Sequence, residues 1–107
     1  MVHIEAPDWN DRIDNDQLAV IVDTRTQREW FRGAIKGSIL LDVLKPHSFV
    51  DQAQKLDKRK NYYLYCQTGV RSVQACMLLE NLGFKKTFNL RGGIVTYSGG
   101  LTTPEMQ

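Results

Sequence analysis

Two short runs of apolar, β-branched and aromatic residues constrain the fold of this chain most. Leu18 to Val22, ending in Asp23, is continuously apolar and has the length of a strand, which is typical of a strand buried on both faces of a parallel sheet. Tyr62 to Cys66 is a second strand-length run, rich in residues that favour β-structure. A sheet built around such strands needs other elements packed against it to cover them.

Helical patterns separate these strands. Residues 71–82 are the clearest case, because Ala75, Leu78, Leu79 and Leu82 recur at helical spacing and Gly83 follows at the position of a C-cap. Further elements are predicted at five places: short strands over 38–41 and 87–90, and helical segments over 24–32, 48–56 and 94–97. This alternation predicts an α/β fold with a largely parallel sheet and helices on both faces. Ligands of such sheets bind beyond the carboxyl ends of the strands.

Length and charge limit what else the chain can be. With 107 residues, of which 42% are hydrophobic, it has the size of one domain, which we take to run over 1–107. The formal charge of +2 hides a contrast, since residues 1–57 sum to −3 and residues 58–107 to +5. No secretory signal or membrane-spanning run is present. We therefore expect a cytoplasmic protein with reduced thiols and no membrane partner.

Cys66 is the residue that the pattern places best for chemistry. It ends a central strand, and residues 67–72 lead from it into a helix whose N-terminal amides and dipole point back at the sulfur, a setting that favours a thiolate. Gly69 allows a tight loop whose N–H groups converge on an anion. Arg71 adds a permanent positive charge and Ser72 adds a hydroxyl.

The other cysteine and the histidines narrow the chemistry. Cys76 lies inside the predicted helix and is interpreted as core packing. His3 and His47 are the two imidazoles, and neither has the context of a general base for acyl transfer, so both are interpreted as surface residues. A thiolate without a base suits attack on a sulfane sulfur, because the leaving group is an anion that needs no proton.

Several segments, in the right order and over nearly the whole chain, resemble the rhodanese family. The proposed loop has the family's C-x-x-G-x-R-S form, carried here by Cys66, Gln67, Thr68, Gly69, Val70, Arg71 and Ser72. Three more segments are similar to family elements. Residues 23–30 match the pattern D-x-R-x-x-x-E-aromatic, residues 33–38 match G-H-I-x-G-[AS] at most positions, and residues 90–93 match L-x-G-G. Two positions depart from the family pattern, since Ala34 replaces the usual histidine and Tyr97 a common tryptophan.

The resemblance implies a fold and an activity. The fold would be a single rhodanese-like domain with a central, mostly parallel five-stranded sheet and helices on both faces. The activity would be sulfur transfer without a cofactor or metal: Cys66 attacks the outer sulfur of an anionic donor such as thiosulfate and holds it as a persulfide within residues 67–72. Cyanide, a small thiol or a protein thiol would then accept the sulfur.

The charged residues are assigned supporting roles on the same basis. Arg71, and less directly Arg91, would attract the anionic donor, so we expect the positive second half of the chain to surround the approach to the cysteine. Asp23, Arg25 and Glu29 are expected to support the fold. Asp23 can accept backbone N–H bonds, while Arg25 and Glu29 are four residues apart and can pair.

Three alternatives remain at this point. A phosphatase or arsenate reductase of related fold has five residues between its cysteine and arginine, whereas four separate Cys66 from Arg71. A noncatalytic interaction module or a sulfur relay would keep the same fold, but retention of the loop residues favours catalysis or relay. Nucleic acid is not expected as a partner, because the basic clusters at Lys58 to Lys60 and Lys85 to Lys86 lack interleaved aromatic residues.

Overall fold

The computed structural model describes residues 1–104 and is centred on a parallel five-stranded sheet of order β1-β6-β5-β2-β4. The strands of this sheet are β1 (Val2–Ile4), β2 (Ala19–Asp23), β4 (Ile39–Leu40), β5 (Asn61–Tyr65) and β6 (Thr87–Leu90). A separate antiparallel pair consists of β3 (Ala34–Ile35) and β7 (Leu101–Thr102). The helices are α1 (Ala6–Asp14), α2 (Gln27–Phe31), α3 (Pro46–Ala53) and α4 (Val70–Asn81), followed by a short 3-10 helix (Ile94–Thr96). The predicted α/β architecture is confirmed.

Helices cover both faces of the sheet, so the protein has two apolar cores. Side chains of β5 alternate between them, since successive residues of a strand point to opposite faces. Tyr62 and Leu64 pack in one core with residues of α3 and α4, namely Phe49, Ala53, Ala75, Cys76 and Leu79. Tyr63 and Tyr65 pack in the other core with Trp9 of α1 and with Ile94. The strand is therefore apolar on both sides, as its sequence predicts.

The central position of β5 decides where the loop after it lies. It pairs in parallel with β2 on one side and β6 on the other, with Tyr63 opposite Ile21 and Phe88. Because all neighbouring pairs are parallel, the carboxyl ends of the strands meet at one edge of the sheet. Cys66 follows β5 directly and so lies in the middle of that edge.

The first two elements are absent from the sequence-based prediction. Strand β1 has three residues and pairs with β6 so that His3 lies opposite Asn89, and α1 buries only Trp9. Both elements are short and present little apolar surface, so their periodicity is weak. The pair β3 and β7 was missed for the same reason, since each strand has two residues.

The two positions that depart from the family pattern have defined surroundings. Ala34 is buried in β3, opposite Thr102 of β7. The Tyr97 hydroxyl donates a hydrogen bond of 3.0 Å to Asn10 Oδ1 and so ties the end of the 3-10 helix to α1. Across the described part of the chain, no helix has the length and apolar character of a transmembrane segment, and the longest, α4, has 12 residues.

Candidate active site

The loop of residues 66–72 closes tightly around the Cys66 sulfur. Gly69 adopts φ +94°, in the left-handed region that favours glycine, and precedes the first residue of α4. In this conformation its backbone N–H donates a hydrogen bond of 3.0 Å to Cys66 Sγ, and Ser72 Oγ lies 3.4 Å from the same sulfur. Cys66 is completely buried, so its sulfur has no surface exposed to solvent in this structure.

The turn after β6 packs against this loop and hydrogen-bonds to its backbone. Ile94 donates its backbone N–H to Cys66 O at 2.8 Å, and Val95 donates to Gln67 O at 3.3 Å. Gly93 approaches so closely that a Cβ there would lie 2.3 Å from Gln67 O. The glycine pair of the L-x-G-G segment thus permits two backbone segments to touch, which places the amides of the loop.

Arg71 is held by a carboxylate. Its two terminal nitrogens donate to Glu29 Oε1 at 2.8 Å and Glu29 Oε2 at 2.9 Å, and both side chains are about a quarter exposed. Hydrogen bonding from Arg71 lowers the pKa of Glu29 to about 2, and the bonds to Glu29 raise the pKa of Arg71. The guanidinium that we expect to attract an anionic donor is therefore paired with a carboxylate of α2, and its role toward a donor stays a prediction.

Arg25 has different partners from those expected. It forms a bidentate contact with Asp23, with distances of 2.7 to 3.1 Å, and also donates to Gly33 O at 2.7 Å and to Gln67 Oε1 at 3.3 Å. The predicted pairing with Glu29 is wrong, since Glu29 faces Arg71. Arg25 lies at the carboxyl end of β2, beside the start of the loop, and connects Asp23 to Gln67.

The positive second half of the chain does not surround the cysteine. Arg91 pairs with Glu5 at 2.8 Å, and both side chains are more than half exposed. The basic clusters at Lys58 to Lys60 and Lys85 to Lys86 precede β5 and β6, so they lie at the amino ends of the strands, opposite the Cys66 edge. The expectation from charge counting fails because strand direction, not sequence proximity, decides which edge a cluster occupies.

A cleft of about 420 Å³ lies beside the loop. Its lining residues come from α2 and the residues around it, from the loop after Cys66, and from the chain beyond β6: Arg25, Glu29, Arg32, Gly33, Gln67, Ile94, Val95 and Leu101. Val95 and Leu101 are exposed large apolar side chains at its rim. Within residues 1–104 no cluster of histidine, cysteine, aspartate and glutamate is suited to hold a metal ion.

Two further residues connect to the site that sequence reasoning did not place there. Asn89 accepts a hydrogen bond from Ser72 Oγ on its Oδ1, and its Nδ2 lies 3.1 Å from His3 Nδ1. A signal for Asn89 exists in the sequence, because a polar amide inside a short buried strand needs a partner. His3 carries no such signal in the sequence. Its side chain is exposed, as expected of a surface residue, but it also contacts Asn89.

The two cysteines differ as predicted in their surroundings. Cys76 is buried in the core formed by α3 and α4, and burial raises the pKa of its thiol to about 12. Cys66 instead faces an N–H donor and a hydroxyl. Both thiols are free.

Comparison with known proteins identifies relatives over most of the chain. The family model for the rhodanese-like domain matches residues 6–99. A crystal structure of a rhodanese-like domain protein from Staphylococcus aureus superposes with a TM-score of 0.85, is 26% identical and covers 98% of this chain and 100% of that one. Two curated relatives are tRNA uridine(34) hydroxylases: one from Pelagibacter ubique, 36% identical over 89% of this chain, and one from Picosynechococcus sp., 37% identical over 89%.

The curated relatives are much longer and are named for chemistry on RNA. This chain spans 31% of the Pelagibacter protein and 33% of the Picosynechococcus protein, about a third in each case. Their names overturn the sequence-based expectation on partners, which excluded nucleic acid and assumed a small anionic donor with a cyanide or thiol acceptor. That expectation rested on the lack of aromatic residues beside the basic clusters, and this lack does not exclude contacts to phosphates.

Proposed function

Because the chain belongs to the rhodanese-like domain family, we propose that it is a sulfurtransferase domain in which Cys66 accepts a sulfane sulfur as a persulfide and passes it on. The observation that carries the proposal is the contact of 3.0 Å from the Gly69 N–H to Cys66 Sγ, in a loop that ends at the N-terminus of α4. A backbone donor fixed at a cysteine sulfur favours negative charge there. Its free thiols fit a reducing compartment, and we place the protein in the cytoplasm.

The proposed step is a displacement at sulfur. The Cys66 thiolate attacks the outer sulfur of the donor, a new S–S bond forms, and the bond within the donor breaks so that the leaving group departs with the electron pair. The outer sulfur of the persulfide then carries the negative charge. Loop amides and the positive end of the α4 dipole stabilise this anion, while the Arg71 charge is largely offset by Glu29.

The same geometry argues against phosphate chemistry at this site. Four residues separate Cys66 from Arg71, which leaves a tighter loop than the five-residue spacing of cysteine-dependent phosphatases. The two terminal nitrogens of Arg71, which would have to bind a tetrahedral oxyanion, are engaged by Glu29. A single sulfur atom needs fewer donors than a phosphate group.

Mass spectrometry tests the proposal directly. Thiosulfate serves as a reagent that stands for any source of sulfane sulfur. After exposure to it, the intact protein should gain the mass of one sulfur atom on Cys66 and lose it again with a thiol reductant. Cys66→Ser should not gain it, whereas the matched control Cys76→Ser should behave as the wild type. Loading of Cys66→Ser, or no loading of a folded wild type by thiosulfate or inorganic polysulfide, would contradict the proposal.

A second candidate is participation in the hydroxylation of a tRNA uridine. It is favoured by 36–37% identity to relatives named for that reaction, over 89% of this chain. The exposed basic residues at the amino ends of β5 and β6, Arg59, Lys60, Lys85 and Lys86, offer contacts for phosphates on the edge opposite Cys66. Arg59 already pairs with Asp57 at 3.0 Å, so the lysines are the stronger contacts.

Binding of unmodified tRNA at several salt concentrations tests this candidate. Removing the charge that neutralises one phosphate should reduce the slope of log affinity against log salt by about 0.9, or about 0.7 for single-stranded RNA. Lys60→Gln and Lys86→Gln should each reduce the slope, whereas Lys36→Gln, outside the two clusters, should leave it unchanged. A chain that binds no tRNA at low salt would remove the support for this candidate without affecting the persulfide proposal.

A further inference from the structure

A row of four hydrogen-bonding side chains runs from the Cys66 sulfur across the sheet to its exposed edge. Ser72 Oγ in the first turn of α4 lies 3.4 Å from Cys66 Sγ and donates to Asn89 Oδ1 on β6. Asn89 Nδ2 lies 3.1 Å from His3 Nδ1 on β1. Cys66 and Ser72 are fully buried and Asn89 is 2% exposed, whereas His3 is open to solvent. We call these four residues the Cys66 row.

The direction of the hydrogen bonds in the structure matches a neutral thiol. The Ser72 hydroxyl has one proton, and that proton goes to Asn89 Oδ1. Ser72 Oγ can therefore only accept from Cys66, which requires an S–H. At the far end, Asn89 Nδ2 lies 3.1 Å from His3 Nδ1, and because an amide nitrogen only donates, this placement of the amide uses Nδ1 as the acceptor.

A negatively charged sulfur requires the opposite direction. A thiolate or persulfide has no proton to give, and lone pairs of the sulfur and of Ser72 Oγ would then face each other in a buried site. If the Asn89 amide turns over, Nδ2 donates to Ser72 Oγ, Ser72 donates to the sulfur, and Asn89 Oδ1 accepts from an N–H at His3 Nδ1. Every group of the row is again satisfied, because an amide and an imidazole can each serve as donor or acceptor.

We propose that Asn89 is a positioning residue for Cys66, acting through Ser72, and that the Cys66 row reverses its hydrogen-bond direction when the sulfur becomes negatively charged. Among residues 1–104, the Gly69 amide and the Ser72 hydroxyl are the two groups within hydrogen-bond distance of the sulfur. The amide is fixed by the loop, so Ser72 is the donor that can be switched. The proposal rests on the proposed function for its biological meaning, since the persulfide is the charged state that would use the second donor.

Charged groups near the two ends of the row are themselves paired. Near the sulfur, Arg71 of α4 is held by Glu29 of α2. At the sheet edge, the terminal ammonium of Met1 lies 2.7 Å from Glu80 of α4. The row itself contains no carboxylate, so the reversal moves hydrogen bonds and adds no buried charge beyond the one on the sulfur.

Alkylation of Cys66 by iodoacetamide at neutral pH tests the role of Asn89, with each cysteine followed by peptide mass spectrometry. Asn89→Asp replaces the amide by an acceptor-only carboxylate, which holds the Ser72 proton away from the sulfur. Alkylation should slow by about tenfold or more, the equivalent of one hydrogen bond to a charged group. In a Ser72→Ala background the same change should have a much smaller effect.

The matched control is Thr87→Val. Thr87 is a buried polar residue of the same strand, and its hydroxyl donates to Glu80 Oε1, outside the row. Its variant should alkylate at close to the wild-type rate. An equal slowing by Asn89→Asp with and without Ser72 would overturn the proposal, because the carboxylate would then act by charge alone.

Nuclear magnetic resonance tests the reversal without altering Ser72, Asn89 or His3. As pH rises, the Cβ signal of 13C-labelled cysteine reports when Cys66 loses its proton, and 15N-labelled histidine reports whether Nδ1 carries one. His3 Nδ1 should change from acceptor to N–H in the same step, this step should be missing in Cys66→Ser, and His47 should show no such step.

Identical His3 titrations in wild type and Cys66→Ser would refute the reversal. Both measurements read the proton on Cys66 and do not depend on sulfur transfer. A chain that never loads sulfur would therefore contradict the proposed function while leaving the row testable.

Discussion

Replacing Gly93 by alanine is the sharpest single test of how the active-site loop is supported. Gly93 has φ +75° and ψ −169°, a conformation almost restricted to glycine. A Cβ there would lie 2.3 Å from Gln67 O, 2.5 Å from Gln67 C and 2.6 Å from Thr68 N. All three atoms belong to the peptide between Gln67 and Thr68 in the loop that follows Cys66, so the new methyl group meets backbone and not a flexible side chain.

The expected cost has two parts. Holding alanine in this backbone region costs about 1–3 kcal/mol. The contact with Gln67 O must also lengthen from 2.3 Å to at least 3.0 Å, a displacement of about 0.7 Å, and such overpacking costs about 1–3 kcal/mol. Gly93→Ala should therefore lower the free energy of unfolding by about 2–6 kcal/mol, from a total of about 5–15 kcal/mol for a typical domain.

The displacement also predicts a loss of reactivity. Misplacing reacting groups by about 1 Å can cost about a hundredfold in rate, so a shift of the Gln67–Thr68 peptide within the Cys66 loop should slow sulfur loading and Cys66 alkylation by about tenfold to a hundredfold. Urea denaturation measures the first effect, and time-resolved mass spectrometry measures the second at a urea concentration where the variant remains folded.

Gly37→Ala is the matched control. Gly37 also has a positive φ, +83°, but an added Cβ there would meet nothing within 4 Å. It should cost about 1–2 kcal/mol for the backbone alone and leave the reactivity of Cys66 unchanged. If Gly93→Ala is no less stable than Gly37→Ala and reacts as fast as the wild type, the idea that this turn places the loop is wrong.

Three further predictions concern ionisable groups. Glu29→Gln should lower the free energy of unfolding by about 1–2 kcal/mol in urea titrations, because it breaks a partly buried bidentate pair with Arg71. The control is Glu5→Gln, which breaks the exposed pair with Arg91. A loss of stability in Glu29→Gln no larger than that in Glu5→Gln would contradict the prediction. Because the pKa of Glu29 is lowered from 4.5 to about 2 in the folded state, the stabilisation is complete above about pH 5 and is lost as the pH falls toward 2. The stabilities of wild type and Glu29→Gln should therefore converge near pH 2, and a constant difference down to that pH would argue against the pair as its source. Burial raises the pKa of Cys76 to about 12, so iodoacetamide at pH 8 should label Cys66 faster than Cys76 in the native protein. In urea, where both cysteines are exposed, both should be labelled. Equal labelling of the two cysteines in the native protein, measured by peptide mass spectrometry, would contradict the assignment of Cys76 to core packing.

Local patterns in the sequence were enough to predict the scaffold around the nucleophile. The apolar run at Leu18 to Val22 became β2, the aromatic run became β5, and the helical stripe became α4, because side-chain periodicity records which faces are buried. Cys66 could be placed at a strand end for the same reason. Short elements such as β1 were not predicted, since three residues are too few to show a side-chain periodicity.

The partners of polar groups were decided by the tertiary structure. The spacing of four residues in the sequence favours a pair of Glu29 with Arg25, and only the packing of α2 against the loop selects Arg71, 42 positions away. His3 and Asn89 are 86 positions apart and meet because β1 adds in parallel to β6.

The sequence by itself therefore determined β2, β5, the helix after Cys66 and the position of Cys66 at a strand end, since these depend on residue type and spacing along the chain. The tertiary structure decided which charges are neutralised, which edge the basic clusters occupy and which side chains reach the sulfur. The physical reason is that burial leaves a periodic trace in the sequence. A hydrogen bond or ion pair depends on atoms coming within about 3 Å, which only the order and direction of the strands can bring about.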